Sequence, residues 1–453
     1  MGIDRQTRVL LVVGIPFVCL AVGLWQVRDF YSDDAYISLR YAQRLLEGHG
    51  LTWTDGERVE GFSNPLWVIQ IAGLGAFGMP LVGVTRILGI GYFIALVALF
   101  GRPGLWTPSQ LLVVTQPTIV FWSVGGLETV GFAFWLALGT WLLWSVTEGN
   151  TGRDCSRRAF GAGLAFALAG LTRPEGVGVG IIAIALLVAS VGRDRETVVM
   201  ILAGFSVPSV GYLVFRESYY GDLLPNAAYA KGIGLGLARQ AEGSLGYFRQ
   251  NLALWAPLLV CSAIVHAASE DRRAARLYIL GVPLVLAVMF SGGDWMSGGR
   301  LIAPIMVLIA LVTGLMGRSL RQTQMRTCVL IALATAVVQV IGLRTLNPGP
   351  DTSSTVGAPV GRYLEENLAS GSLVALATAG STPYYAPDLR FIDTLGLNDR
   401  HIARRRSGPV ITRLQRDEGH TKGDGAYVLS RAPDVIILGP LNFSWCPGPE
   451  LTT

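Results

Sequence analysis

The chain has 453 residues, of which 51% are hydrophobic and only 15% charged, and its mean hydropathy is +0.48, a composition that excludes a soluble enzyme and points to a polytopic membrane protein. Positive charge is almost all arginine, Lys231 and Lys422 being the only lysines, and the net +5 is scattered over loops, which excludes a nucleic-acid-binding patch. Cys19, Cys155, Cys261 and Cys328 sit in or beside apolar runs and Cys446 stands alone in the tail, so there is neither a disulfide framework nor a metal-binding spacing.

Taken in order, residues 8–27 form an apolar run with no small-residue cleavage site after it, and they read as a retained first helix rather than a signal peptide. Residues 28–64 are polar and dense in ionisable groups, and cannot lie in hydrocarbon. Within them, 35–47 reads as an amphipathic helix lying on the membrane: Ile37, Tyr41, Ala42, Leu45 and Leu46 share one side, with Tyr36, Arg40, Gln43 and Glu47 on the other. At the start of that helix Asp34 projects with the apolar side, which turns its carboxylate towards the protein or membrane, and Asp33 projects with the polar one. The competing reading makes the pair a plain cap, with Ser32 or Asp33 at the N-cap.

Further apolar runs occupy roughly 65–79, 82–100, 109–124, 129–146, 159–171, 176–191, 197–215, 251–268, 275–290, 301–317 and 326–342. With the first run these make twelve candidates. The Arg-bearing segments at the N-terminus, 147–158, 269–276 and 318–326 all carry a cytoplasmic signature, and twelve full crossings cannot place all four inside. Eleven spans can, with 65–79 re-entrant or broken. The outer face then receives 28–64, the turns at Glu128 and at Arg173–Glu175, the 216–250 loop with Asn226 and Lys231, and the Gly-rich loop from Asp294 to Arg300. After about residue 343 composition becomes that of a soluble segment, with a short helix at 361–369 and buried strands at Leu373–Ala377 and Asp434–Leu438, so a transmembrane domain of 1–342 is followed by a small α/β domain of 343–453. His401 and the basic Arg404, Arg405 and Arg406 lie in that domain.

An outer cavity lined by acids and arginines suits transfer between a lipid-borne donor and a hydroxyl acceptor. The hydroxyl must lose a proton, which calls for a carboxylate, Asp34 or Asp33. A leaving phosphate needs cations or N–H groups, and Arg173, Lys231 and Arg300 are the candidates. Each has a plainer alternative: Arg173 pairing with Glu175, Lys231 as a surface lysine, Arg300 paired with Asp294. Glu128 is either a sugar-hydroxyl ligand or a helix-start acid. A transporter or flippase for a lipid-linked or small anionic substrate is the rival class, but charges gathered at one face, without two related halves, speak against it.

The ordered set DDAYISLRYAQRLLEGHGLTWTDGERVEGFSNPLW, GGLET, LTRPEG, PNAAYAKG and GGDWMSGGRLIAP, followed by STPYYAPDLRFIDTLGLNDRHIA, resembles the membrane-embedded GT-C glycosyltransferases that use polyprenyl-phosphate sugars, and within them the terminal β-(1→2)-arabinofuranosyltransferases of mycobacterial cell-wall assembly. The resemblance implies a GT-C fold in a bacterial inner membrane, an extracytoplasmic site, and inverting transfer of a pentose from a decaprenyl-phosphate-type donor to a cell-envelope glycan. No cofactor or metal is expected, although Asp33, Asp34 and Glu128 are residue types that could ligate a divalent ion. Matching Tyr41-Ala42-Gln43-Arg44 to the helix after the acid in related aminoarabinose transferases places the base at Asp34. It adds Glu57, Arg58 and Glu60 of the GERVEG turn, with Asn64, Glu128, Glu175, Asn226, Asp294 and His401, to the substrate-binding candidates. The sequence departs from the mycobacterial pattern at Gly61-Phe62-Ser63-Asn64-Pro65 and in a shorter tail, which leaves the sugar and the acceptor open.

Overall fold

Prolines and glycines cut the apolar stretches more often than hydropathy alone suggests. In the computed structural model, which describes residues 14–148, 152–191, 194–231, 237–294, 296–346, 349–405 and 423–437, five helices are long and apolar enough to cross a membrane: Leu81–Phe100, Thr129–Thr147, Arg195–Tyr220, Arg273–Ser291 and Gln322–Arg344. A sixth candidate is a pair, Gln240–Gln250 and Leu252–Ala268, bent by 76°. Ile15–Val27, Pro65–Gly75, Glu175–Ser190 and Ala303–Gly317 are apolar but shorter. Helix length among the described residues therefore gives fewer crossings than the eleven expected.

Two segments are broken, one expected and one not, and only the second bears on the difference. Pro65–Gly75 has 11 residues, about 16 Å at a 1.5 Å rise, too short to span, in keeping with the expectation of a broken segment. The run at 109–124, expected as one helix, is two: Pro108–Val114 and Pro117–Trp122. Pro117 supplies no N–H and forces the residue before it out of helical conformation, and Gln116 is extended at φ −63°, ψ 115°. Side chains take up part of the opened polarity: Thr115 Oγ1 donates to Gln339 Oε1 at 2.7 Å, Gln339 Nε2 to Gln116 Oε1, and Gln116 Nε2 to Leu254 O at 3.2 Å.

The chain divides into two units. The first comprises residues 1–30, 86–212 and 244–349. Its centre is Ala303–Gly317, apolar on every side and buried along its whole length. Its outward helices carry exposed large apolar residues, among them Phe17, Trp25, Ile181, Val199, Val207, Leu330 and Ile341. A surface that apolar is stable against lipid rather than water, and the protein is a multi-pass membrane protein.

The second unit gathers 31–85, 213–243 and 350–453, so the segment after 343 packs with the first polar loop. It holds a three-stranded parallel sheet in the order β2-β1-β3: β1 Leu373–Leu376, β2 Arg390–Asp393 and β3 Val435–Ile436. Leu373, Ala375, Ile392, Ile402 and Val428 form its core. The expected helix 361–369 is longer, Thr352–Asn367, and the expected strand 434–438 is seen as Val435–Ile436, its last residue lying outside the described residues.

The amphipathic helix forms at Ala35–Leu46, but of its polar side only Gln43 and Glu47 reach solvent, while Tyr36 and Arg40 are buried. Arg40 is fully buried: its Nε donates to Trp53 O at 3.2 Å, Nη1 to Ala386 O at 3.5 Å, and Nη2 to Pro387 O and Leu389 O, both at 3.3 Å. Tyr36 is buried too, its ring centroid 5.3 Å from Tyr384 and 5.6 Å from Tyr385. Periodicity located the helix; three of the four carbonyls that hold Arg40 come from more than 340 residues away and leave no local signal.

Candidate functional site

Asp33 and Asp34 have different surroundings. Asp33 is buried, its Oδ1 accepting from Ser381 N at 3.1 Å and Ser381 Oγ at 2.6 Å, while its own N–H donates to Asp351 Oδ2 at 3.0 Å. Burial pushes its pKa up to about 6; the Ser381 bonds oppose that rise, and the nearby charges of Asp34 and Asp351 add to it. The approach is close enough to require glycine at 380, where a Cβ would stand 2.3 Å from Asp33 O. Asp34 occupies the N-cap position of the helix with its side chain making no capping bond, and it is partly exposed, so the expected inward-facing acid is the outer one: Gly380 and Ser381 cover Asp33 instead. Neither acid therefore acts as the side-chain cap that the plainer reading required. Beside them Tyr31, Tyr36, Tyr384 and Tyr385 form an aromatic cluster with neighbouring centroids 5.0–5.6 Å apart.

The GERVEG turn is a scaffold as much as a surface. The Glu60 carboxylate is buried against Arg216 at 2.7 and 3.1 Å, and its carbonyl accepts from Asn226 N at 2.8 Å. Asn226 Nδ2 in turn donates to Gly396 O and Leu397 O at 2.9 Å and to Asp399 O at 3.2 Å. The Tyr41 hydroxyl lies 2.8 Å from Val59 O and 3.0 Å from Asn398 Oδ1, and accepts Gly61 N–H at 2.9 Å. A Cβ at Gly61 would meet Asn398 Oδ1 at 1.9 Å. Asp393, raised to about 6 by burial, holds this second turn by accepting from Asn398 N, Asn398 Nδ2 and Leu395 N. Asn64 exchanges hydrogen bonds with Ser38. Glu60, Asn64 and Asn226, expected as substrate contacts, thus have geometry suited to holding the loop.

Glu57, Arg58 and His401 do line a common cavity in the same unit, about 980 Å³ in volume. Lys231 ends the helix Asn226–Lys231, and its side chain lies outside the described residues, as do Arg406 and Trp295.

In the first unit, Glu128, Arg173 and Glu175 form one cluster: Arg173 Nη1 to Glu128 Oε1 is 3.0 Å and Nε to Glu175 Oε1 is 2.6 Å. Arg300 pairs with Asp294, its guanidinium carbon 6.0 Å from the Trp122 ring. The plainer pairings considered from sequence are present, so both guanidiniums are already part-neutralised. Arg173 and Glu175 also line a cavity of about 120 Å³ with Ser291 and Leu301. That is room for a few waters or one small anionic group.

Sequence reasoning missed Ser381, Asp351 and the tyrosines at 384 and 385. The only signal was the STPYYAP string, whose partners are over 300 residues distant.

These features define the class: a multi-pass helical membrane protein with polar and charged clusters outside its apolar helices. Residues 350–448 match a family model described as a domain of unknown function, DUF8728. Over 334 residues the chain is 30% identical to the terminal β-(1→2)-arabinofuranosyltransferase of Mycobacterium tuberculosis, a match covering 64% of this chain and 52% of that protein. The chain thus spans about half the length of the curated relatives it matches. Its fold is similar to that of ArnT from Cupriavidus metallidurans, in a crystal structure bound to undecaprenyl phosphate, with a TM-score of 0.57 at 13% identity, covering 86% of each chain. It is also similar to the archaeal oligosaccharyltransferase AglB from Archaeoglobus fulgidus, in complex with an inhibitory peptide and a dolichol-phosphate, with a TM-score of 0.54 at 11% identity over 84% of this chain and 64% of that one. The resemblance drawn from the motifs therefore holds, in sequence for the arabinofuranosyltransferases and in fold for the GT-C enzymes.

Proposed function

We propose that the protein is an inverting membrane glycosyltransferase that moves a pentose, arabinofuranose or a close relative, from a polyprenyl-phosphate donor to a cell-envelope glycan. The observation that carries this reading is the unequal Asp pair: one acid locked by Ser381, the other at the helix start and partly exposed, in a fold similar to that of a protein solved with undecaprenyl phosphate bound. Asp34 takes the proton of the acceptor hydroxyl. The hydroxyl oxygen then bonds to the anomeric carbon from the face opposite the phosphate, the carbon–oxygen bond to phosphate breaks, and its electron pair leaves on the polyprenyl phosphate.

Charge gathering on that phosphate needs positive partners, a role assigned to Arg173, with Arg300 and Lys231. Glu128 and Glu175 fix the Arg173 guanidinium through Nη1 and Nε, and a third nitrogen, Nη2, remains for the phosphate. Asp33 is the positioning residue of the pair. Glu57, Arg58 and His401 are assigned to the acceptor. The reading places eleven crossings in a bacterial inner membrane with this chemistry on the extracytoplasmic side.

The test is incubation of purified protein with a radiolabelled decaprenyl-phosphate arabinose and an arabinan acceptor. Covalent transfer is expected from wild type and a loss of at least about a hundredfold from Asp34→Asn, at unchanged thermal stability. Turnover by Asp34→Asn would remove the base. Movement of the lipid across vesicles with no new bond would replace the enzyme by a flippase.

A further inference from the structure

The 980 Å³ cavity of the second unit has a composition that a neutral arabinan does not call for. Its volume is at the upper end of small-molecule sites. Its wall carries Arg58, Arg400, Arg404 and Arg405 against only Glu57 and Asp424, a formal excess of two positive charges. Two of the arginines are compensated: Arg404 pairs with Asp222, and Arg405 lies 3.4 Å from Asp424. Among the described residues Arg58 and Arg400 have no carboxylate ion pair.

Both are nonetheless held. Arg400 Nη2 donates to the carbonyls of Tyr220 and Arg58, and the Arg58 guanidinium sits 4.8 Å from the centroid of the Tyr219 ring. A guanidinium anchored through one edge keeps its remaining N–H groups fixed for a planar or tetrahedral oxyanion, at little further entropic cost. Next to them the His401 ring stacks on Tyr427, centroids 4.1 Å apart and 17° from parallel, and its Nε2 lies 3.0 Å from Asp424 Oδ2. The histidine side chain is 53% exposed, so this flat slab offers a ring face to whatever enters.

We propose that this pocket binds a sugar unit bearing an oxyanion, a phosphate or a carboxylate, with Arg58 and Arg400 on the anion and the His401–Tyr427 stack against the ring. In calling that unit part of the acceptor the inference rests on the function proposed above; as a binding site it stands by itself. An unstructured basic surface would attract anions equally, but it would not distinguish a sugar phosphate from phosphate alone.

The experiment is calorimetric titration of the full chain in detergent with ribose 5-phosphate, glucuronate, ribose and inorganic phosphate. Ribose 5-phosphate and glucuronate are expected to bind at least about tenfold more tightly than ribose, more tightly than phosphate alone, and more weakly as salt is raised. The tighter of the two identifies phosphate or carboxylate as the natural group. Arg58→Gln/Arg400→Gln should lose that binding by about tenfold or more, while Arg58→Lys/Arg400→Lys, which keeps the charge, should lose less. Equal binding of ribose, equal binding of bare phosphate, or unchanged binding by a glutamine double variant with wild-type melting behaviour would each overturn the proposal. Should the glutamine variant misfold, the comparison of charged with neutral sugar still decides. Asp34→Asn, expected to be inactive in transfer, should bind these ligands as wild type does, so loss of the site and loss of the enzymatic reading give different results.

Discussion

Two buried carboxyls, Asp33 and Asp393, are both held up at about 6 by burial. Each gives up its proton at lower pH when unfolded than when folded, near 3.8, so between about pH 4 and pH 6 the folded state binds more protons and stability falls as pH rises. Asp33→Asn keeps an oxygen for Ser381 and carries no charge to bury. The variant is expected to be more stable than wild type above pH 6, by on the order of 2 kcal/mol, and equal to it near pH 4. Melting temperature across pH 4 to 8 checks this, and a variant less stable at pH 8 would show that the ionised acid is favoured where it sits. On the proposed mechanism, in which Asp33 positions and Asp34 reacts, Asp33→Asn should also keep transfer within about tenfold, whereas Asp34→Asn should not. Helix periodicity turned Asp34 inward and Asp33 outward, and the structure reverses this: Asp33 is buried and Asp34 is the more exposed, because both acids precede the helix proper and the burial comes from the chain that packs on Asp33. What periodicity could not show is the partner, because Ser381 and Gly380 reach Asp33 from another part of the chain.

For the helix Ala35–Leu46, the decisive group is Arg40. A side chain this polar on a half-apolar helix reads as solvated, yet it is fully buried and its guanidinium spreads its donors over four carbonyls, three of them in 386–389. Arg40→Ala leaves those carbonyls short of a donor and opens a hole, and about 3 to 5 kcal/mol of stability should be lost. Arg40→Lys should recover little, since one ammonium has three donors and no planar fork to reach them all. Thermal unfolding in detergent measures both, and an Arg40→Lys protein as stable as wild type would show that charge rather than geometry matters. The other differences between sequence and structure at this scale have separate causes. Pro117 broke a run that hydropathy joined, while Pro359 failed to break the helix Thr352–Asn367, because tertiary packing decides which prolines interrupt. The strand Arg390–Asp393 escaped notice since four residues between polar flanks give no usable alternation.

At the scale of the whole chain, the change after about residue 343 was legible from composition, but the packing of 350–453 with the first polar loop in one unit was not. Its hydrogen bonds show that packing. Ser381 holds Asp33, Ala379 O accepts from Trp53 Nε1, Phe391 N donates to Thr54 Oγ1, and Asn226 ties the turn at 396–399 to Glu60. A three-stranded sheet with strands of two to four residues has little core of its own, so these contacts supply much of what keeps it folded. The segment 350–453 expressed alone is therefore expected to be unfolded or aggregated, despite matching a recognised domain over 350–448. Conversely, a chain ending at 349 should leave the helix Ala35–Leu46 without the carbonyls that bury Arg40. Hydrogen exchange tests both halves: amides of residues 39–44, slow in the full chain, should exchange by at least about a hundredfold faster in the truncated one. Slow exchange there, or a cooperative unfolding transition in isolated 350–453, would mean that each part folds without the other.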